Sequence, residues 1–158
     1  MAGDPDLDGF DLQILAILQN DNLTTQQEIG DRVALSSAAV SRRIRRLQDR
    51  GVIKANVAIL NPADVGRHII AAVEVSVVSE LKDEIQSLSD HFASQPEVQQ
   101  CYYVTGNFDF LLMVSATSMA DYNRLCQKLF VDQGNIASFK TFFVTQTVKA
   151  GSTLPVQG

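Results

Sequence analysis

The chain has little cysteine, little histidine and no long apolar run, and each scarcity removes a class of protein. Two cysteines in 158 residues, Cys101 and Cys126, give neither a disulfide framework nor a four-cysteine zinc site. They read as two reduced thiols inside a cell, so a cytoplasmic location is expected. His68 and His91 have no partners at metal-ligand spacing, so no metal or other cofactor is expected. Apolar runs such as Ile69-Ile70-Ala71-Ala72-Val73 fall far short of the roughly 20 residues of a membrane span. The opening Met1-Ala2-Gly3-Asp4-Pro5-Asp6 is acidic and lacks the basic-then-apolar order of a secretory signal. Neither a membrane partner nor export is expected. There is no glycine-rich phosphate loop and no clear nucleophile–base pair, which argues against an enzyme. Long repeats and low-complexity tracts are also missing.

What is there is globular in composition: 46% hydrophobic and 20% charged residues. The length allows at most two small domains. Domains of that size bury thin cores, so association between chains is expected.

The net charge of −5 is unevenly spread. Residues 32–54 carry seven basic side chains against Asp49 alone, a net of +6. Residues 61–158 carry six basic and ten acidic side chains, a net of −4. Salt screens charges beyond about 8–10 Å, so a local basic stripe on an acidic protein still attracts phosphate. A merely solvated helix face is the plain alternative.

The first 60 residues read as helices. Leu7, Phe10, Ile14, Ile17 and Leu18 recur at helical spacing and predict an amphipathic helix over 8–20. Thr25-Gln26-Gln27-Glu28 fits a capping box, with Ile29 and Val33 on the buried side of the helix that follows. After a turn at Leu35-Ser36, Ser36 or Ser37 caps a third helix running to about Arg50, with Val40, Ile44 and Leu47 inward. Gly51 stops it. Val52 to Leu60 looks extended and β-like. From residue 68 the chain alternates strand and helix signals: a strand over 68–78 and a helix over 80–94. Strands over 98–105 and 108–116 follow, joined at Gly106-Asn107, then a helix over 119–131 and a strand over 136–148. That βαββαβ order is the ferredoxin-like pattern. The expected fold class is α+β, with boundaries at 1–51 for the helical domain and 52–67 for a linking strand and linker. The ferredoxin-like domain covers 68–150 and a frayed tail 151–158.

A helix, a short turn and a capped basic helix is the arrangement of a helix-turn-helix. With Val40, Ile44 and Leu47 inward, Ala38, Ser41, Arg42, Arg45 and Arg46 fall on the opposite side. Small residues at Ser37, Ala38 and Ser41 allow close approach to base edges. Arginine brings a planar fork for guanine or phosphate. The candidate DNA-binding residues are Ser36, Ser37, Ala38, Ser41, Arg42, Arg43, Arg45 and Arg46.

Leu7-Asp8 followed by Asp11-Leu12-Gln13-Ile14-Leu15, and the run Val33-Ala34-Leu35-Ser36-Ser37-Ala38-Ala39-Val40-Ser41-Arg42-Arg43-Ile44-Arg45-Arg46-Leu47, resemble the Lrp/AsnC family of transcription regulators. Gly51-Val52-Ile53-Lys54 and Leu60-Asn61-Pro62 resemble the exit from that family's winged helix-turn-helix domain. Val104-Thr105-Gly106-Asn107-Phe108-Asp109-Phe110 resembles its effector loop. The resemblance runs over residues 7–150 in order. It implies a DNA-binding head joined to a ferredoxin-like domain (the RAM domain), which dimerises, often assembles to octamers and takes an amino-acid effector. The candidate effector residues are Thr105, Gly106, Asn107, Phe108 and Asp109. Two departures stand out. Ser37 lies where the family often has proline, and Asn107 where it commonly has an acid.

A free amino acid needs acceptors for its ammonium and donors for its carboxylate. Asp109 offers the first, and the backbone amide near Gly106 the second. Gly-Asn also suits an ordinary hairpin turn. The leading expectation is a sequence-specific DNA-binding regulator modulated by a small molecule. The alternatives are an effector-independent regulator, a ligand-binding assembly module that does not bind DNA, and an enzyme on the ferredoxin-like half. Apolar strand residues such as Ile70, Leu112 and Phe142 are expected on a sheet face that a second copy covers. Cys101, Cys126, Phe139, Phe142 and Phe143 read as core or sheet packing, and one of Tyr102 and Tyr103 as core.

Overall fold

The computed structural model describes residues 7–151 and 153–156. Two compact units divide between Ile59 and Leu60, and the residues from Lys149 onward group with the first.

The first unit holds α1 (Gly9–Leu18), α2 (Gln26–Val33) and α3 (Ser37–Asp49). Each helix starts on a side chain that satisfies a free backbone amide. Asp8 and Asp11 form a reciprocal capping box on α1, and Thr25 and Glu28 form one on α2. Ser36 caps α3, its Oγ accepting from the Ala39 amide at 3.2 Å. Helix α3 ends at Arg50 and Gly51, the latter at φ 70°. Ile14, Ile29, Val33 and Val40 form the core, with the partly buried Ile44 packed against it, and Leu47 is also fully buried. Phe10, expected on the buried side, is exposed. It covers the Arg43 guanidinium instead, 5.3 Å from ring centre.

Residues 54–60 form no strand. Strand geometry needs a ladder partner for its amides and carbonyls, and the described residues offer this segment none. Of the tail over 151–158, residues 152, 157 and 158 lie outside the described residues, and among the described ones Leu154 is held rather than frayed. The Gln19 amide group donates to the Leu154 carbonyl at 2.8 Å and accepts from its amide at 2.9 Å.

The second unit is a four-stranded antiparallel sheet carrying two helices. Its strands are β1 (Ile69–Val77), β2 (Val98–Tyr103), β3 (Phe110–Ala116) and β4 (Ile136–Phe143), in the spatial order β2-β3-β1-β4. Helices α4 (Lys82–Ala93) and α5 (Met119–Cys126) supply the crossovers. This is the expected ferredoxin-like topology. One sheet face is buried under the helices: Ala71, Val73 and Val75 alternate along β1 beneath Leu88, Phe92, Tyr122 and Leu125. Phe139 stacks on Phe130, and Phe143 packs edge-on against Tyr122.

Four details depart from the sequence reading. Strand β4 stops at Phe143, where the ladder with β1 ends. Helix α5 gives way to a π-helical turn at Gln127–Val131, whose extra residue turns both Leu129 and Phe130 inward. Leu112 is fully buried on the helix side, because it pairs with Val73. The open face instead carries Leu111 and Met113, with Ile70, Ala72, Tyr102 and Phe142. Tyr102 and Tyr103 are both exposed, since β2 is an edge strand, although the Tyr103 ring leans on Phe110.

Candidate DNA-binding surface and effector loop

The turn between α2 and α3 is built around a close approach. A Cβ on Gly30 would strike the Leu35 carbonyl oxygen, so glycine is required there. Ala34 takes a left-handed conformation at φ 56°, and the Leu35 amide closes back on the Gly30 carbonyl at 3.0 Å. That turn leads directly into Ser36 and the capped start of α3.

On α3, Ser36, Ala38, Arg42, Arg45 and Arg46 are exposed, while Ser37, Ser41 and Arg43 are half-buried. The arginines fall into two sets. Among the described residues, Arg42 and Arg45 make no ion pair. Arg43 reaches Asp8 at 2.7 Å and Asp11 at 2.8 Å, and Arg46 also pairs with Asp11. Asp11 is completely buried, and a buried carboxylate must be paired to remain charged. The Asp8 carboxyl is held below its ordinary value by the Asp11 backbone amide first and the Arg43 guanidinium second. Arg43 and Arg46, both candidate DNA contacts by sequence, thus have partners within their own unit. The sequence reading missed Asp8 and Asp11 as their partners, because a carboxylate more than thirty residues away leaves no local signal.

Beside α3 lies a shallow cleft of about 410 Å³ lined by Asn22, Thr24, Gln26, Ser41, Arg45 and Gln48 among others. Its hydroxyls, amides and one guanidinium all include donors, the chemistry that phosphate oxygens need.

In the second unit, β2 and β3 are joined by the whole of 104–109 rather than by a two-residue turn at Gly106-Asn107. The Val104 amide donates to the Asp109 carbonyl at 2.8 Å, closing the loop. Asp109 also donates its amide to the Val75 carbonyl at 2.9 Å, and its Oδ2 accepts from the Val77 amide at 2.8 Å. It therefore extends the β1–β3 ladder past the end of β3. Gly106 has φ 153°, outside the range other residues favour. Thr105, Gly106 and Asn107 are exposed; Phe108 and Asp109 are half-buried. Cys101 and Cys126 are half-buried against the core, and burial pushes both thiols up. Among the described residues no cluster of three or more His, Cys, Asp or Glu could hold a metal. No helix of the described residues is long and apolar enough to cross a membrane.

Comparison with known proteins matches both units. The profile for a winged helix-turn-helix DNA-binding domain covers residues 7–54, and that for the Lrp/AsnC ligand binding domain covers 70–154. The chain belongs to the Lrp/AsnC family. An HTH-type transcriptional regulator of Sinorhizobium fredii is 37% identical over 96% of this chain and 90% of its own. The glutamate uptake regulatory protein of Zymomonas mobilis is 33% identical over 95% and 91%. The crystal structure of a Neisseria meningitidis transcriptional regulator in complex with L-methionine superposes with a TM-score of 0.87 at 30% identity, covering 94% of this chain and 96% of that one. As a member of the Lrp/AsnC family the chain is a DNA-binding transcriptional regulator with a ligand-binding domain, and not an enzyme.

Proposed function

We propose that this regulator reads DNA with α3, through Arg42 and Arg45 on an approach surface of Ser36, Ser37, Ala38 and Ser41. The observation that carries the reading is the pair of exposed arginines, without an ion pair among the described residues, beside small residues at the start of a capped helix. Asn22, Thr24 and Gln26 in the neighbouring cleft suit the flanking phosphates. The test is a gel shift on a selected operator at several salt concentrations. A bidentate base contact is worth about 1–3 kcal/mol, so Arg42→Ala/Arg45→Ala should lose operator affinity by well over tenfold. A folded double variant that binds the operator unchanged removes α3 as the reader.

The working form is a dimer, closed by the open sheet face. Ile70, Leu111, Met113 and Phe142 lie there without cover, and a second copy buries them. Octamers are the further assembly that family membership suggests. A two-fold dimer brings two reading helices to a palindromic site, in the cytoplasm where the DNA is. A stable monomer in sedimentation at micromolar concentration overturns this.

The effector is an amino acid, a ligand class that the L-methionine complex of the Neisseria relative supports, and it is held at the loop of Thr105, Gly106, Asn107, Phe108 and Asp109. A carboxylate has about four acceptor sites, so the Val77 contact leaves Asp109 able to receive an ammonium. A second reading, an effector-independent regulator, is favoured by Asn107, which brings no charge to the loop. Calorimetry against the twenty amino acids decides. Binding that strengthens in Asn107→Asp supports the loop, and no heat with either protein favours the second reading.

A further inference from the structure

The two paired arginines of α3 point to a role for α1 in DNA recognition. Asp11 lies on α1 with its side chain fully buried, and it holds two guanidinium groups of α3 at once. Asp8 adds a second hold on Arg43, and the Asp11 backbone amide donates to Asp8 Oδ1 at 2.9 Å, fixing the Asp8 carboxylate beside Asp11. The Phe10 ring lies over the Arg43 guanidinium. The apolar contacts of α3, through Val40, Ile44 and Leu47, are non-directional and tolerate a small rotation or slide of the helix. Charge-assisted hydrogen bonds to a fixed carboxylate do not, since their strength depends on geometry.

We propose that Asp11 is a positioning residue for DNA reading: it fixes the rotation of α3 and, with Asp8, withholds Arg43 and Arg46 from phosphate. Sequence recognition is thereby left to Arg42 and Arg45, and sequence-independent attraction is held down by two charges. The inference rests on the reading that α3 contacts DNA.

The test uses the full chain with Asp11→Asn, which keeps the shape and removes the charge. Binding is followed by fluorescence anisotropy, over a range of salt, on an operator selected with the wild-type protein and on a random duplex. Freed arginines neutralise further phosphates, so the slope of log affinity against log salt should steepen by about 0.9 for each additional phosphate neutralised. Affinity for the random duplex should rise, and preference for the operator should fall about tenfold, the worth of one displaced base contact. A residue that only stabilises the fold would lower the active fraction and leave slope and preference unchanged. That result, in folded Asp11→Asn, overturns the proposal. If Asp11→Asn does not fold by circular dichroism, Asp8→Asn decides, because asparagine still caps α1 while only one charge leaves Arg43. It should shift slope and preference in the same direction by a smaller amount, and no shift overturns the proposal. Arg42→Ala/Arg45→Ala, run in parallel, separates the two failures. If that variant loses operator binding while the Asp variants change nothing, α3 reads DNA without this clamp.

Discussion

The helical unit and the sheet unit solve the same problem with different interactions. Among the described residues, the sheet unit packs thirteen buried residues into one core, with Phe92, Phe110 and Phe130 at its centre. The helical unit has a cluster of four, and none is aromatic. What it has instead are two capping boxes, a serine cap and the Asp8–Asp11–Arg43–Arg46 network. The comparison teaches where tolerance lies. A unit held by a large apolar core is sensitive to lost volume, while a unit held at its helix ends is sensitive to turn geometry and charge. The chain has no tryptophan, and all three tyrosines, Tyr102, Tyr103 and Tyr122, lie in the sheet unit. Tyrosine signals therefore report the sheet unit alone, and far-UV helical signal adds the helical unit.

The largest effect should come from the sheet core. Phe92 is fully buried and meets Phe110 edge-on, with ring centres 5.3 Å apart. Removing a buried aromatic ring costs about 3–5 kcal/mol in lost transfer energy and cavity formation. Phe92→Ala should lower the denaturant midpoint of the tyrosine signal strongly, and an unchanged midpoint would break the contrast between the units.

Next comes the helix-turn-helix corner. Gly30→Ala places a Cβ against the Leu35 carbonyl oxygen, a backbone atom that cannot swing away. Overpacking of this kind costs about 1–3 kcal/mol, partly offset by the better helix propensity of alanine. The loss should appear in the far-UV signal with the tyrosine transition unmoved. Ala34→Gly is the opposite case. A left-handed φ of 56° strains alanine, so glycine should gain about 0.5–1 kcal/mol for the helical unit. Destabilisation by Ala34→Gly would mean the alanine methyl matters more than its backbone strain.

Local signals carried the reading of the sequence a long way. Thr25 with Glu28, Ser36 and Gly51 marked helix ends through the backbone groups they satisfy. The alternation along β1 and the spacing in α4 gave the ferredoxin-like order. What failed depended on partners elsewhere in the chain. Leu111, Leu112 and Met113 are all apolar, so only pairing with β1 reveals which face each takes. The register shift between Val98 and Gln100 is set by contact with β3. Val52 to Leu60 look like a strand, yet a strand is a relation between two segments. At the candidate sites, residue types on α3 were legible, but the split into paired and unpaired arginines was not. It is decided by Asp11, whose burial no local pattern announces.

The smallest expected effect is a difference in acid sensitivity. Three capping carboxylates sit below their ordinary values. Asp8 is held there chiefly by the Asp11 amide, Glu28 by the Thr25 amide and Asp121 by the Thr117 amide. A folded pKa below the unfolded one means that the unfolded chain binds more protons between the two values. The stability each group contributes is then complete above the unfolded value, about 4, and is lost as pH falls through the folded one. Two of the three belong to the helical unit, which also has the smaller core. Asp121 alone belongs to the sheet unit. On lowering pH from 7 toward 2, the far-UV helical signal should therefore begin to fall before the tyrosine signal changes. Asp8→Asn and Glu28→Gln should lower the stability of the helical unit at pH 7 and flatten its dependence on pH below about 5, because neither replacement titrates and the stability tied to these two charges is already absent at pH 7. Coincident transitions in the wild type would mean that the two units do not unfold independently in acid, and that the contrast between their interiors is not expressed at low pH.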